Sequence, residues 1–409
     1  MSRRDLAALI ARHRLQARLD TAVDRLPERP SAPLLVVDLD AFDANAADLV
    51  RRAAGTPVRV ASKSLRVPAL VRRALEAPGF AGVLAYSLRE ALWLVANGIC
   101  DDVLMGYPTV DAVALARLTR DEAALRAVTL MVDAPEHLDL VERARPEVGP
   151  PVRVALDVDA GLRVGPAHVG PRRSPLRETA QVLALVEEVL DRPEFELVGV
   201  MTYEGQVAGV PDDVPGEALR SSAVRRMKTA SVRQLRLRRQ ELASVLAGRT
   251  ELRLWNAGGT GSIESSAGDP VVTEVSAGSG LLVPHLFDHY RSFSARPAAF
   301  VGLPVVRRPG HATVTVEGGG LIASGPVGAD RAPLPWAPPG LRLTPLEGAG
   351  EVQTPLVGPV ADTLCIGDLV WFRHAKAGEP AEHIPEAHLL AGDTIVDTVP
   401  TYRGLEVTR

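Results

Sequence analysis

One lysine is the residue best suited to covalent chemistry. The chain has 46 residues that are lysine or arginine, but only three of them are lysines, namely Lys63, Lys228 and Lys376. Arginine keeps its proton under ordinary conditions, so a lysine in this background suggests that a primary amine is required. Lys63 follows an apolar run, residues 58–61, and precedes a helical pattern that begins at Pro68. At the carboxyl end of a buried strand its amine could form a Schiff base. The alternative is a lysine that extends from the strand end into solvent.

Two glycine-rich turns follow the last two predicted strands. Their candidate binding residues are Asn256, Gly258, Gly259 and Thr260 in the first turn, and Gly278 and Ser279 in the second. Backbone N–H groups in such turns can converge on an anion, and the loops after the last two strands of a barrel commonly bind phosphate. Neither turn has the Lys-Ser/Thr ending of a nucleotide-binding P-loop. Together they predict a phosphate site, although glycines also close tight turns for purely structural reasons.

Two further strand ends carry candidate binding residues. Arg163 lies in the pattern Asp159-x-Gly161-x-Arg163-x-Gly165, and Tyr203 follows the run 197–202. The arginine fork suits a bound anion or a phenolic oxygen, but it could equally pair with a neighbouring aspartate. The tyrosine could bond a cofactor ring substituent or simply a backbone group.

The elements that must position these residues alternate between apolar runs and helical patterns. This alternation predicts βα units with a parallel sheet, hence an α/β fold. The predicted strands cover residues 34–37, 58–61, 82–86, 103–105, 127–132, 152–157, 197–202, 252–255 and 271–275. That is one more than an eight-stranded barrel requires. We predict a helical arm over residues 1–30, a (β/α)8 barrel over 31–293 and a C-terminal all-β domain over 294–409.

Composition excludes several classes of function. The net charge is −4, so nothing suggests a nucleic-acid or membrane partner, and we interpret the basic helical stretch 217–247 as a solvated outer helix. The two cysteines form no C-x-x-C pattern, which favours a reduced, cytoplasmic protein. No apolar run has the length of a membrane span.

Taken in order, the motifs resemble a known enzyme family. They are Arg59-x-x-x-Lys63, the Asp159 to Gly165 pattern, Tyr203-Glu204-Gly205, Gly258-Gly259-Thr260-Gly261 and Ala277-Gly278-Ser279. The order is similar to the D-threonine aldolase and D-serine dehydratase branch of the fold type III, alanine racemase-like enzymes that use pyridoxal phosphate (PLP). The resemblance implies a PLP-binding barrel followed by a β domain that includes the first strand, and a homodimer.

The resemblance also implies roles for the candidate residues. Lys63 would hold PLP as a Schiff base, the two glycine turns would hold its phosphate, and Arg163 and Tyr203 would lie around its ring. Family members carry His-x-Cys or His-x-Asp near the C-terminus and bind a divalent metal there. Here His374 matches, but Lys376 stands in the place of the anionic ligand. A protonated lysine repels a metal, so we expect the metal to be absent or bound atypically.

These features predict a PLP-dependent lyase acting on a D-configured or α-substituted β-hydroxy amino acid. The reaction would be retro-aldol cleavage or β-elimination, with Lys63 acting at Cα, His374 as a base for the β-hydroxyl and Lys376 as a fixed positive charge. Three alternatives stay open at this point: an amino-acid racemase of the same fold, a non-catalytic PLP-binding protein, and a barrel that binds another phosphate ligand.

Overall fold

The structure is a computed structural model that describes residues 3–405 and 407. The strands are β1 Leu34–Asp38, β2 Val58–Ala61, β3 Phe80–Ala85, β4 Val103–Met105, β5 Val128–Val132, β6 Val152–Asp157, β7 Leu162–Val164, β8 Ala167–Val169, β9 Phe195–Thr202, β10 Leu254–Ala257, β11 Glu274–Ala277, β12 Ala299–Gly310, β13 Thr313–Glu317, β14 Leu334–Ala337, β15 Arg342–Leu343, β16 Gln353–Val357, β17 Leu369–Arg373, β18 Glu386–Ala391 and β19 Thr394–Pro400.

The helices surround and connect these strands. They are α1 Arg3–Asp24, α2 Leu39–Ala53, α3 Pro68–Glu76, α4 Leu88–Ala96, α5 Ala112–Leu118, α6 Glu122–Ala127, α7 Pro135–Ala144, α8 Thr179–Leu190, α9 Gly205–Ala208, α10 Ala218–Leu246, α11 Ile263–Ala267, α12 Ser279–Leu282 and α13 Tyr402–Leu405. Short 3₁₀ turns cover Ser62–Ser64, His285–Phe287, Ala329–Arg331, Pro359–Thr363 and Glu379–Glu382. Among the described residues, no helix has both the length and the apolar character needed to cross a membrane.

Eight parallel strands close into a barrel in the order β10-β11-β2-β3-β4-β5-β6-β9. The predicted α/β barrel is therefore confirmed. Its strands read as continuous apolar runs because helices cover them outside and side chains fill the barrel inside. All five residues of β5 are buried, for example. Because all eight strands run the same way, their carboxyl ends form one mouth, where side chains from distant parts of the sequence meet.

A second, all-β sheet confirms the other half of the fold prediction. Its order is β15-β16-β13-β12-β1-β18-β19, and β17 pairs with both β12 and β14. Strand β1 lies in this sheet, antiparallel to β12 and parallel to β18, which explains the ninth strand of the predicted series. It then delivers the chain into α2, whose N-terminus is capped by the Asp38 carboxylate.

Helix α1 packs on this second sheet. Leu19 and Val23 are buried against Trp371, whose indole N–H donates a hydrogen bond of 2.7 Å to Asp20. The predicted arm thus covers one face of the sheet, whereas Leu6, Leu9 and Ile10 remain exposed.

Candidate active site at the barrel mouth

Lys63 lies at the barrel mouth, in the 3₁₀ turn that follows β2. Strands β11 and β3 flank β2 in the barrel. The turn is held from below because the Ser62 hydroxyl donates to the Leu84 carbonyl at 3.1 Å. From above, Gly378 packs so closely that a β-carbon there would lie 2.1 Å from the Lys63 carbonyl oxygen. The segment after His374 therefore reaches the lysine turn of its own chain.

The Lys63 amine is hydrogen-bonded to a tyrosine from a different strand end. Its Nζ donates to Tyr107 Oη at 2.6 Å, and Tyr107 stands two residues after β4. The guanidinium of Arg173 lies 5.5 Å from the centre of the Tyr107 ring and 5.6 Å from that of Tyr203. Four separate segments thus bring two cations and two phenols together at the barrel mouth.

The two phenols respond differently to this environment. Burial raises the pKa of Tyr203 to about 12. Burial acts in the same direction on Tyr107, but the positive charges of Lys63 and Arg173 and their hydrogen bonds bring its pKa below the ordinary value. Tyr107 is therefore the more acidic of the two phenols.

A buried carboxyl lies across the mouth. Asp157 ends β6, which is the strand opposite β2 in the closed barrel. Burial and the nearby Asp133 raise the pKa of Asp157 to about 7, and the charge of Arg173 opposes this shift. The mouth thus holds a carboxyl that gains or loses its proton near neutral pH.

The two glycine turns lie side by side at the mouth, next to the lysine turn. The N–H of Gly280 donates to Thr260 Oγ1 at 2.9 Å, which ties the second turn to the first. A β-carbon on Gly259 would lie 2.8 Å from Ala208 Cβ, and one on Gly278 would lie 2.4 Å from the Ala61 carbonyl oxygen. Only glycine fits at these two points, so the backbone itself lines the cradle.

Backbone donors in the first turn are available to a ligand. Within the described part of the chain, the N–H groups of Thr260 and Gly261 donate to no protein acceptor. Small residues and unpaired donors next to a lysine amine fit a phosphorylated aldehyde such as PLP.

A buried ion pair supports the first turn from beneath. Glu204 accepts hydrogen bonds from Ser262 Oγ at 2.8 Å and from the Gly258 N–H at 3.4 Å. Arg239 of α10 donates to the same carboxylate at 2.9 Å, and also contacts Asp269 at 3.3 Å. Helix α10 therefore positions the turn through one arginine, and Glu204 has a structural function next to Tyr203.

Two predicted cofactor-binding residues lie elsewhere. Arg163 is in β7, and its guanidinium is bound to the Glu178 carboxylate and the Arg177 carbonyl. The arginine beside the two tyrosines is Arg173, ten positions later and beyond the end of the β7–β8 hairpin that contains Arg163. Asn256 points into the barrel, where its Nδ2 donates to Glu274 at 2.7 Å and to Ser276 at 2.8 Å.

His374 and Lys376 do not form the pair of ligands that a metal requires. Both ring nitrogens of His374 are buried and make no hydrogen bond of regular geometry among the described residues, although a weak contact with the Ala299 backbone acts to raise the pKa of the ring. Burial, Arg373 and His285 lower its pKa to about 3, so the ring is neutral. Lys376 Nζ lies 3.0 Å from Glu379 and 2.5 Å from Ser324 Oγ. An ammonium that is paired with a neighbouring carboxylate does not act as a metal ligand.

Other nearby acids and histidines do not supply a metal site either. Glu382 pairs with Arg66 at 3.1 Å, and His388 Nδ1 is 2.9 Å from Thr398 Oγ1. Over residues 3–405 and 407, no group of three His, Cys, Asp or Glu side chains is arranged to hold a metal ion. As arranged in this part of the chain, the side chains around His374 do not form a ligand set for a divalent metal.

Sequence reasoning missed Tyr107, Arg173 and Asp157 as residues of the mouth. Tyr107 stands in Gly106-Tyr107-Pro108 directly after the predicted strand 103–105, so a search of every strand end for titratable side chains would have found it. Arg173 follows no strand of the barrel directly, and nothing in the sequence sets it apart from Arg172.

An α/β barrel whose mouth carries a lysine and two turns suited to phosphate is typical of barrels that bind a phosphorylated cofactor. The family model for "Alanine racemase, N-terminal domain" matches residues 37–282, and the chain belongs to this family.

The chain is also similar to three individual enzymes. The chain is 31% identical over 255 residues to a D-threonine aldolase from an Arthrobacter species, and the match covers 61% of each chain. Among solved structures, it is similar to the D-threonine aldolase of Filomicrobium marinum, with a TM-score of 0.72 and 22% identity over 91% of this chain and 95% of that one. It is also similar to the D-threo-3-hydroxyaspartate dehydratase of Delftia sp. HT23, with a TM-score of 0.69 and 21% identity over 91% and 97%.

Proposed function

We propose that the chain is a PLP-dependent lyase that acts on D-configured β-hydroxy amino acids. The observation that carries the proposal is the Lys63 amine, which stands at the mouth of a closed barrel beside two glycine turns suited to a phosphate. The 31% identity to a D-threonine aldolase supports this class of substrate.

The residues that would hold PLP come from four strand ends and from the loop between β8 and α8. Lys63 would bond the aldehyde carbon, and the turns with Gly259, Thr260, Gly278 and Ser279 would bind the phosphate. Arg173, in place of Arg163, and Tyr203 would lie along the ring. When bound, PLP supplies an electron sink for the electron pair left on Cα of the substrate.

The protein's own groups must then move protons at two atoms. In retro-aldol cleavage the β-hydroxyl loses its proton, the Cα–Cβ bond breaks and Cα gains a proton. In β-elimination Cα loses a proton and the β-oxygen leaves as water. Lys63 is the group for Cα in either reaction. The prediction that His374 serves the β-oxygen requires its ring to become accessible, because a base must reach the proton that it takes.

We also propose a cytoplasmic homodimer with a small amino acid as its substrate. The exposed apolar side chains of Leu6, Leu9 and Ile10 support an additional contact surface on α1. Sedimentation of the PLP-loaded protein tests this proposal, since a fully active monomer would contradict it.

A racemase of the same fold is the second candidate function. It needs two bases on opposite faces of Cα, and the phenol nearest Lys63 is bonded directly to it at 2.6 Å. That arrangement favours transfer of a proton between the two groups over action from opposite faces, so we prefer the lyase. A non-catalytic PLP-binding protein would bind the cofactor without turnover.

One experiment separates these functions. The purified protein is loaded with PLP and should show an absorption band near the visible edge that borohydride bleaches. D-Threonine, D-threo-3-hydroxyaspartate and D-alanine are then supplied in turn, and aldehyde, 2-oxo acid and L-alanine are measured. Aldehyde or oxo acid supports the lyase, L-alanine alone supports the racemase, and a band without turnover indicates a PLP-binding protein.

A further inference from the structure

Tyr107 occupies a position from which it can exchange a proton with Lys63. Its Oη is 2.6 Å from Lys63 Nζ, slightly shorter than the usual distance of about 2.7–2.9 Å for a charge-assisted N–H···O hydrogen bond. Its side chain is only partly buried, so the phenol faces both the lysine and the mouth. No other described side chain is hydrogen-bonded to the Lys63 amine.

The surroundings of Tyr107 favour its charged form. Lys63 Nζ lies 5.2 Å from the ring centre, and the Arg173 guanidinium lies 5.5 Å from it. Tyr203 is the third titratable group that faces it, and it is neutral at ordinary pH because of its raised pKa. Two cations and a neutral phenol therefore surround Tyr107, and its pKa falls below the ordinary value for tyrosine.

The other candidate base is less well placed. Both nitrogens of His374 are enclosed, whereas Tyr107 is open to the mouth and already bonded to the amine that acts at Cα. A group that serves both the β-oxygen and Lys63 has to lie where both can reach it.

We propose that Tyr107 and Lys63 form a proton relay in which Tyr107 serves the β-oxygen of the substrate and Lys63 serves Cα. The proposal rests on the function proposed above. In retro-aldol cleavage the Tyr107 phenolate takes the β-hydroxyl proton, the C–O bond becomes a carbonyl, and the Cα–Cβ bond breaks with its electron pair left on Cα. The proton then passes from Tyr107 Oη to Lys63 Nζ and on to Cα. The products are an aldehyde and glycine, with no net change in protons.

The same pair serves β-elimination in the opposite direction. Lys63 takes the proton from Cα while the Tyr107 phenol gives its proton to the departing hydroxide, which leaves as water. The proton on Lys63 then returns to Tyr107 across the 2.6 Å contact. The relay therefore identifies the acid and base residues, and it is compatible with breaking either the Cα–Cβ bond or the bond to the β-oxygen.

The first test is spectroscopic and requires no turnover. In the PLP-loaded protein, Tyr107 would accept a hydrogen bond from the protonated imine on Lys63 and so stabilise it. Tyr107→Phe should retain the imine band but lose the imine proton at a lower pH than the wild type, by one pH unit or more. Tyr290→Phe is the matched control, because Tyr290 donates to the Ala208 carbonyl at 3.0 Å and has no bond to Lys63. An unchanged imine titration in Tyr107→Phe would overturn the relay.

The second test is kinetic. General acid–base groups typically contribute about 10²–10⁴-fold in rate, so Tyr107→Phe should lower kcat by at least about 10²-fold with little change in KM. The wild-type rate should rise with pH as Tyr107 ionises, and the variant should lack this rise. Tyr107→His, which keeps a base, should recover part of the rate.

The outcomes distinguish the relay from the function on which it rests. A wild type without the imine band, or with the band and no cleavage of D-β-hydroxy amino acids, refutes the proposed function. A wild type that cleaves them while Tyr107→Phe does so at the same rate refutes the relay alone.

Discussion

The hydroxyl oxygens of Ser64 and Ser279 lie 3.1 Å apart, and this contact joins the lysine turn to the second glycine turn. The residue after the proposed Schiff-base lysine is thus bonded to a proposed phosphate ligand. The aldehyde end and the phosphate end of a bound PLP would be held by two turns that contact each other, because β2 and β11 are neighbours in the barrel.

We expect Ser279→Ala to weaken PLP binding by about tenfold or more, since hydrogen bonds to charged groups contribute about 1.5–3 kcal/mol. Affinity for pyridoxal, which lacks the phosphate, should change little. Ser62→Ala is the matched control, because Ser62 lies in the same turn but donates to the Leu84 carbonyl at 3.1 Å. Titration of the imine band with each aldehyde measures both affinities, and an equal loss for PLP and pyridoxal would contradict the phosphate assignment.

The pair Arg173 and Arg163 provides a second prediction. Arg173→Met removes the cation between the rings of Tyr107 and Tyr203, so it should lower lyase activity by at least about tenfold and raise the pKa of Tyr107. Arg163→Met removes a surface pair with Glu178 and should cost less than about 1 kcal/mol of stability, with activity near that of the wild type. If the two variants exchanged these effects, the original assignment of Arg163 would be correct.

Most of the fold followed from the sequence because a parallel barrel strand must be apolar on both faces. Residues 58–61, 103–105 and 152–157 were predicted with the bounds that the structure has. The last two barrel strands begin at Leu254 and Glu274, two and three residues later than predicted. Glu274 and Asn256 bond each other inside the barrel, and such polar residues interrupt the apolar signal of a strand.

The candidate site was less predictable for a different reason. The lysine and the glycine turns are local patterns, and backbone requirements can be read from local sequence. The neighbourhood of Lys63 instead depends on how the loop insertions fold back. In the β7–β8 hairpin Arg163 is paired with Glu178, whereas Arg173, beyond the hairpin, lies near the mouth. No local sequence pattern predicts which of the two arginines faces the mouth.

The ion pair under the first glycine turn leads to a stability prediction. Glu204 and Arg239 are almost fully buried, and removing one partner of such a pair costs about 3–5 kcal/mol because the other charge is left uncompensated. Glu204→Gln should therefore lower the free energy of unfolding by an amount near that range, measured in urea. It should also weaken PLP binding, because Gly258 and Ser262 donate to different oxygens of the carboxylate, and the amide of glutamine keeps only one acceptor oxygen. A variant with wild-type stability would show that Arg239 is satisfied by Asp269 alone.

The last prediction concerns Lys376 and the metal. Lys376 takes the sequence position of an anionic ligand, and its ammonium is held at 3.0 Å from Glu379. We predict that this ammonium supplies the positive charge that a divalent ion would otherwise supply beside the β-oxygen. Lyase activity should then survive exhaustive chelation, and Lys376→Ala should lower kcat by about tenfold or more while the imine band is retained. Lys228→Ala is not a suitable control because Lys228 is buried and paired with Asp212, so Glu379→Gln serves instead.

Glu379→Gln leaves the ammonium in place but removes its partner, so it should keep most of the activity and remain insensitive to chelators. Lys376→Asp creates a His-x-Asp pair, and we expect it to be weak until Mn²⁺ or Zn²⁺ is added, with metal uptake measured by mass spectrometry independently of turnover. A wild type that loses activity in chelator and recovers it with manganese would show the prediction to be wrong. In that case the enclosed His374 side chain must become accessible to the ion, because its two ring nitrogens, which make no regular hydrogen bond, are the strongest metal donors in that segment.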